Sequence, residues 1–376
     1  MKFSLDIIAG RANLGVSTNP EINELIASHA PVAIGVSGGK DSCAVAIAFV
    51  EYLRKVGHAG PLVLIHSDLG RVEWADSLPT CRRLALRLGL PLIVVKRAAG
   101  DMMDRWLGRW RNNIARYINL ECVKVILPWS TPSMRFCTSE LKTDIICRDL
   151  VRRFAGRRIV SISGVRRDES VARAKAPLSK EQPKLSSRTH NTSGVDYCPI
   201  AHWTLADVLA FLDARGFPLH EAYTSHGSSR VSCRFCIMGS ADDLAASAAV
   251  PDHAPLFREM VGLEIDSTFA FQGGKWLGDV APHLLTDVSR EKLRLARLRA
   301  AQREEQESRI PAHLLYTKGW PTCIPTAEEA ELLADVRTRV GEILGIHVLY
   351  RSGQSVITRY QELMSAKVAK APRCPL

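Results

Sequence analysis

The sequence predicts an α/β fold built on a parallel sheet and followed by a helical C-terminal region. Three observations carry this. Short apolar runs recur at 32–36, 62–65, 92–95 and 159–162, each of strand length. Segments of helical period at 40–57 and 73–88 stand between the first three, which is the βαβ pattern. After about residue 245 the strand pattern disappears and the remainder is helical in tendency.

Taken in order, Pro31, Pro61 and Pro91 each precede a run, where a missing backbone donor does not interrupt a ladder. Residues 101–120 and 138–154 read as helices, and 174–195, rich in Ser, Lys, Pro and Thr, reads as an exposed mobile loop. A helix over 204–216 is marked by Thr204 as cap, Asp207 in its first turn and Gly216 at its end. A later helix carries Arg290, Arg294 and Arg297 on one face, toward solvent or nucleic acid. The pattern divides the chain into a nucleotide-binding domain with a cysteine cluster over 1–245 and a helical region without an assigned role over 246–376.

With 376 residues, 46% of them apolar, the chain can bury a proper core, and disorder is not the default. No run approaches the roughly 18 apolar residues of a membrane span, and residues 1–11 lack a secretory pattern, so a cytoplasmic protein without a membrane partner is expected. Ten cysteines are too dilute for a disulfide scaffold and are available for metal or catalysis. Residues 100–190 hold 19 Lys or Arg against 9 Asp or Glu, most of the net charge of +11. Such a field suits nucleotide phosphates or a nucleic-acid backbone, or is a solvated basic face.

Residues 32–42 read Val-Ala-Ile-Gly-Val-Ser-Gly-Gly-Lys-Asp-Ser, a buried strand running into a glycine turn and a helix. The glycines let backbone N–H groups close on phosphate oxygens, and the helix N-terminus adds positive potential. Lys40 supplies a full charge, and Ser37 and Ser42 supply hydroxyls, at the carboxyl edge where open α/β sheets bind ligands. The spacing is neither Walker A nor the dinucleotide Gly-x-Gly-x-x-Gly, which disfavours hydrolysis to ADP and hydride transfer. Arg166 and Arg167, after the fourth run, suit bidentate phosphate contact. Asp68, at the end of the second, suits reading a ribose or orienting the nucleotide.

The loop resembles the PP-loop of the ATP pyrophosphatase and phosphoadenosine-phosphosulfate (PAPS) reductase superfamily, whose fold is the HUP-like, doubly wound parallel sheet of the adenine nucleotide alpha hydrolases. His66-Ser67-Asp68-Leu69-Gly70, Arg135-Phe136-Cys137-Thr138-Ser139-Glu140, Gly164-Val165-Arg166-Arg167-Asp168-Glu169-Ser170, Trp203-Thr204 and Cys233-Arg234-Phe235-Cys236 extend the likeness over about 30–240. The resemblance implies that Ser37, Gly38, Gly39, Lys40, Asp41, Ser42, Asp68, Gly164 and Arg166 bind the nucleotide, and that Lys40, Asp41 and Arg166 act in catalysis on ATP with Mg2+.

Cys233 and Cys236 form a Cys-x-x-Cys turn, and Cys137 lies beside Arg135 and Lys142, cations that stabilise thiolates. The spacing resembles the iron–sulfur type of the family, implying a [4Fe–4S] cluster, with zinc or unmetallated redox thiols as alternatives. One ligand departs from the pattern: Phe136-Cys137 stands where cluster-bearing adenylyl-sulfate reductases have paired cysteines. Cys198 is the first candidate for the fourth ligand, followed by Cys323 and Cys147, and three cysteines alone would leave one iron open to hold sulfur. Cys43 reads as core.

Thioredoxin-dependent reductases of the family carry a C-terminal Glu-Cys-Gly-Leu-type motif, where this tail reads Ala371-Pro372-Arg373-Cys374-Pro375-Leu376. The expected chemistry is therefore ATP-dependent sulfur transfer to a nucleic acid, DNA phosphorothioation before tRNA thiolation, with a cysteine desulfurase as sulfur-donating partner. A small-molecule PAPS reductase and a non-catalytic ATP- and nucleic-acid-binding module are the alternatives.

Overall fold

The computed structural model describes residues 14–370. Residues 1–11, read above for a secretory pattern, and the tail with Cys374 lie outside the described residues. The chain divides into two compact units, one of Met1–Met102 with Pro132–His253, the other of Met103–Thr131 with Ala254–Leu376. The division differs from a single cut at 245/246, because residues 103–131 join the C-terminal unit.

The first unit holds a six-stranded sheet in the order β3-β2-β1-β4-β6-β5. Its strands are β1 (Val32–Gly35), β2 (Leu62–Asp68), β3 (Leu92–Lys96), β4 (Arg158–Ile162), β5 (Ser179–Glu181) and β6 (Ser193–Tyr197). All pairs are parallel except β5 with β6. The three prolines start the ladder: their carbonyls accept from Val160, Val32 and Leu64 of the neighbouring strands at 2.8–2.9 Å.

Side chains alternate across the strands, so Val32 and Ile34 enter one core with Phe49, Leu84 and Phe211. Ala33 and Val63 enter another, with Leu150 and Phe154. Helices thus cover both faces, as a doubly wound, HUP-like sheet requires. The chain order reverses between β1 and β4, which opens a crevice at their carboxyl ends.

Residues 174–195, read as loop, instead contain β5 and the start of β6. No apolar run announces β6 because Ser193 and Asp196 interrupt it, yet Val195 and Tyr197 are buried. Gly194 is required there, since a Cβ would stand 2.6 Å from the Ile159 carbonyl oxygen. The helix Leu205–Ala214 begins with the expected reciprocal cap between Thr204 and Asp207.

Among the described residues, no strand follows residue 245 and no helix is long and apolar enough to cross a membrane. In the second unit, Glu264 on the helix Ala254–Ser267 accepts backbone N–H groups of Phe271, Leu277 and Gly278 at 2.7–3.1 Å. Arg290, Arg294 and Arg297 pair with Asp287, Glu291 and Asp279, the solvent-facing alternative of the sequence reading. Glu264→Ala strands three buried donors, so urea unfolding of the variant should show a loss of about 3 kcal/mol or more; an unchanged midpoint contradicts this account.

Candidate nucleotide site and thiol cluster

β1 ends at Gly35, and the helix Lys40–Lys55 starts after the turn with Gly39 as its cap. Gly38 has φ +78°, and a Cβ there would stand 2.9 Å from the Ser77 carbonyl oxygen, so a side chain is excluded twice over. The Ser42 hydroxyl closes the loop, donating to the Gly39 carbonyl at 2.8 Å and accepting from Ser37 N–H at 3.2 Å. The first-turn N–H groups and the positive end of the helix dipole therefore lie at the β1/β4 crevice.

Lys40 is buried, and its ammonium donates to the Ser229 carbonyl at 3.1 Å and lies 4.7 Å over the Tyr223 ring. The Tyr223 hydroxyl accepts two backbone N–H groups, from Lys40 at 3.3 Å and Val231 at 3.1 Å.

In the loop after β4, Gly164 passes so close that a Cβ would stand 2.5 Å from the Asp41 carbonyl oxygen. Two residues on, the buried Arg166 guanidinium donates to Asp41 at 2.6 Å and to Asp168 at 2.5 Å. Burial opposes its charge, but the two carboxylates outweigh burial and hold it protonated. The second Asp168 oxygen accepts from Leu205 N–H at 3.1 Å, tying the arginine to the capped helix. Asp41 thus faces the arginine, and Asp68 caps its own turn by accepting from Gly70 N–H at 2.7 Å.

The cysteines fall into separate groups. Cys233 pairs with Glu73 in an isolated antiparallel bridge, and Arg234 N–H donates to the Val72 carbonyl at 2.7 Å, which fastens the Cys-x-x-Cys turn beside the end of β2. Burial, followed by the neighbouring thiols of Cys236 and Cys137, pushes the Cys233 thiol up, while Lys142 pulls it down. Cys236 Sγ accepts from Met238 N–H at 3.4 Å. Cys137, Cys233 and Cys236 are therefore electrostatic neighbours.

Cys198 stands elsewhere, 3.4 Å from Ser163 Oγ, with Asp196, Lys180 and Arg173 as its charged surroundings. Cys147 is buried near Asp196 and Lys184, and Cys323 belongs to the second unit. Cys43 is buried core, as read. Among the described residues, no three His, Cys, Asp or Glu side chains are arranged to hold a metal ion. Among the described residues, Cys137 and Cys236 are the cysteines whose charge acts on Cys233, and no fourth cysteine joins them, which does not fit a four-cysteine cluster.

Sequence reasoning missed Tyr223, Ser229 and His220. The His220 ring packs against the loop, with Nδ1 accepting from Ala222 N–H at 3.0 Å and Nε2 3.3 Å from Ser77 Oγ. Burial pushes this histidine down to about 4, so it is neutral. No periodicity or spacing marks these residues; Ser77 and Lys40, which they contact, lie over 140 positions away in the chain.

A Gly-Gly-Lys-Asp-Ser loop without Walker spacing, at the switch point of a HUP-like sheet and bordered by an arginine from the adjacent strand, defines a domain of the PP-loop class. The chain belongs to the phosphoadenosine phosphosulfate reductase domain family, which it matches over residues 31–239. It is 40% identical over 74 residues to the cytoplasmic tRNA 2-thiolation protein 1 of Arabidopsis thaliana, a stretch covering 19% of this chain and 21% of that relative's length.

Among solved structures it is similar to the phosphoadenylyl-sulfate (PAPS) reductase from Candida auris, at 13% identity and a TM-score of 0.36 over 62% of this chain and 97% of that one. It is also similar to the U34-tRNA thiolase NcsA from Methanococcus maripaludis with its [4Fe-4S] cluster, at 12% identity and a TM-score of 0.31 over 69% and 78%.

Gly164→Ala should force the β4 loop away from Asp41, lowering stability by about 1–3 kcal/mol and weakening ATP binding. Gly108→Ala, where nothing lies within 4 Å, is the control. Calorimetric unfolding and ATP titration of both variants check this, and a Gly164 variant matching the control rejects the close-approach argument.

Proposed function

We propose that the protein is an ATP pyrophosphatase-type sulfurtransferase acting on a nucleic acid. The observation that carries the reading is that the segment 220–236, which holds the Gly-Gly-Lys loop through Tyr223 and Ser229, also carries Cys233 and Cys236, with Cys137 as their electrostatic neighbour.

ATP enters as its magnesium complex, with its phosphates against the N–H groups of Gly38–Lys40, the Ser37 and Ser42 hydroxyls and the Lys40 ammonium. An acceptor oxygen attacks the α-phosphorus, the bond to the β-phosphate breaks, and pyrophosphate leaves. Lys40 and Arg166 stabilise its growing charge. Asp41 positions Arg166 and, held between two cations, does not serve as a metal ligand in this scheme.

A sulfur nucleophile carried by the thiols then displaces AMP, so the acceptor exchanges its bond to oxygen for one to sulfur. One of Cys137, Cys233 and Cys236 takes the outer sulfur of a cysteine desulfurase persulfide by thiol exchange, and that sulfur attacks the adenylated atom as AMP leaves. A second of the three thiols then cleaves the resulting S–S bond, which frees the thiolated acceptor and leaves a Cys–Cys disulfide that an external dithiol reduces, and no step runs through a metal cluster. The 74-residue similarity to a tRNA 2-thiolation protein favours tRNA as acceptor; DNA is the acceptor preferred on the sequence resemblance.

The test is product analysis with ATP, magnesium, a sulfur donor and either DNA or tRNA. AMP and pyrophosphate in equal amounts, stimulated by one nucleic acid, are expected. ADP, or turnover of PAPS with a thiol donor alone, overturns the reading. Lys40→Ala should slow pyrophosphate release by roughly 10²- to 10³-fold, the usual cost of losing one charge-stabilising group. Cys236→Ser should abolish sulfur incorporation while sparing pyrophosphate release, and Cys198→Ser should spare both. Loss of sulfur transfer in Cys198→Ser would restore that residue to the thiol group.

A further inference from the structure

The helix Asp144–Arg153 carries a hollow on each flank. One, of 680 Å³, lies against the end of β3 and is rimmed by Lys96, Arg97, Arg148 and Arg152 over a floor that includes Val95 and Ile145. The other, of 420 Å³, shares Arg148 and Arg152 and adds Lys184 and His190. The two shared arginines are exposed and one helical turn apart, about 6 Å along the axis, and they form a ridge between the hollows.

Three carboxylates, Glu140, Asp144 and Asp149, also line the first hollow. Asp144 is paired with Lys184, and Asp149 with Arg153 at 3.1 Å. Arg97, Arg148 and Arg152 have no carboxylate partner among the described residues. Arg97 donates to the Ala99 and Gly100 carbonyls, and Arg152 to the Arg148 carbonyl. Three guanidinium groups, each a planar fork suited to phosphate oxygens, therefore line the hollow without an ion-pair partner of their own. A small anion would fill one hollow; Arg97 in the first and Arg148 and Arg152 bordering both match a chain of phosphates.

We infer that this ridge and its two hollows bind the sugar–phosphate backbone of a nucleic acid. The inference rests on the sulfur-transfer reading for the identity of the bound chain and locates where that acceptor docks. Cys137 lies eleven residues before Arg148, on one continuous helical run that includes the π turn Ser139–Thr143. That separation is about 16 Å, so a backbone held on the ridge brings a nucleotide a few positions along the strand to the thiols.

The experiment uses the full chain with Arg97, Arg148 and Arg152 changed together to Ala, and in a second variant to Lys. Binding to a short DNA duplex and to unfractionated tRNA is followed by fluorescence anisotropy between about 50 and 200 mM salt. Wild type should lose affinity steeply with salt. The alanine variant should bind at least tenfold more weakly, with a log–log salt slope shallower by about 0.9 for each duplex phosphate that the protein no longer neutralises. The lysine variant should keep most of the slope. ATP-binding affinity and thermal unfolding should match wild type in both.

An alanine variant with wild-type affinity and slope overturns the docking surface while leaving the sulfur-transfer reading intact. A wild-type protein that binds neither nucleic acid overturns the nucleic-acid reading itself, and the inference with it.

Discussion

The buried ion pair between Arg166 and Asp41 is the contact on which the site depends. It joins the loop after β1 to the loop after β4, the two strands at which the sheet changes direction. A guanidinium buried this deeply is tolerable because two carboxylates face it, Asp41 from one loop and Asp168 from the other. The pair forms only because Gly164 lets the two backbones touch. Glycine, arginine and aspartate are thus one device, and the phosphate crevice is its result.

A second constraint links this crevice to the thiols. Asp243 holds Ser229 by its N–H at 2.7 Å and by its hydroxyl at 3.1 Å, and caps the next helix by accepting from Ser240 N–H. Burial works against this carboxylate, but the hydrogen bonds from Ser229 and Ser240 outweigh burial and keep it below the usual range. Ser229 in turn offers its carbonyl to Lys40, and Val231 its N–H to Tyr223. Two residues further on stands Cys233. The residue that holds Lys40 therefore stands four positions from the first thiol, on one short, well-anchored stretch of backbone.

What could be read from the sequence follows from the range of the interactions. β1 to β4 and the phosphate loop are local signals: apolar runs, a glycine turn, a lysine at a helix start. β6 was hidden because its burial comes from neighbours on both sides and not from its own composition. The assignment of residues 103–131 to the second unit was hidden for a similar reason, as the helix Met102–Ile118 is as periodic as any in the first. The thiols split the same way. Cys233 and Cys236 are adjacent in a turn and legible together, whereas the place of Cys198 is decided by β6, the strand the sequence concealed.

The excess of cations over 100–190 shows how little net charge alone can settle. Arg109 and Arg116, in the second unit, turn donors to the carbonyls of Leu127 and Glu121. Arg166 is buried between carboxylates, and Arg158 and Arg173 pair with glutamates. Each is positive in the count, but Arg158, Arg166 and Arg173 already have their charge met by carboxylates within the protein. Arg148 and Arg152, placed together by their helical spacing, have no such carboxylate pairing. A polyanion responds to that local field over about a Debye length, roughly 10 Å, so the relevant quantity is the arrangement around Arg148 and Arg152 and not the sum over the segment.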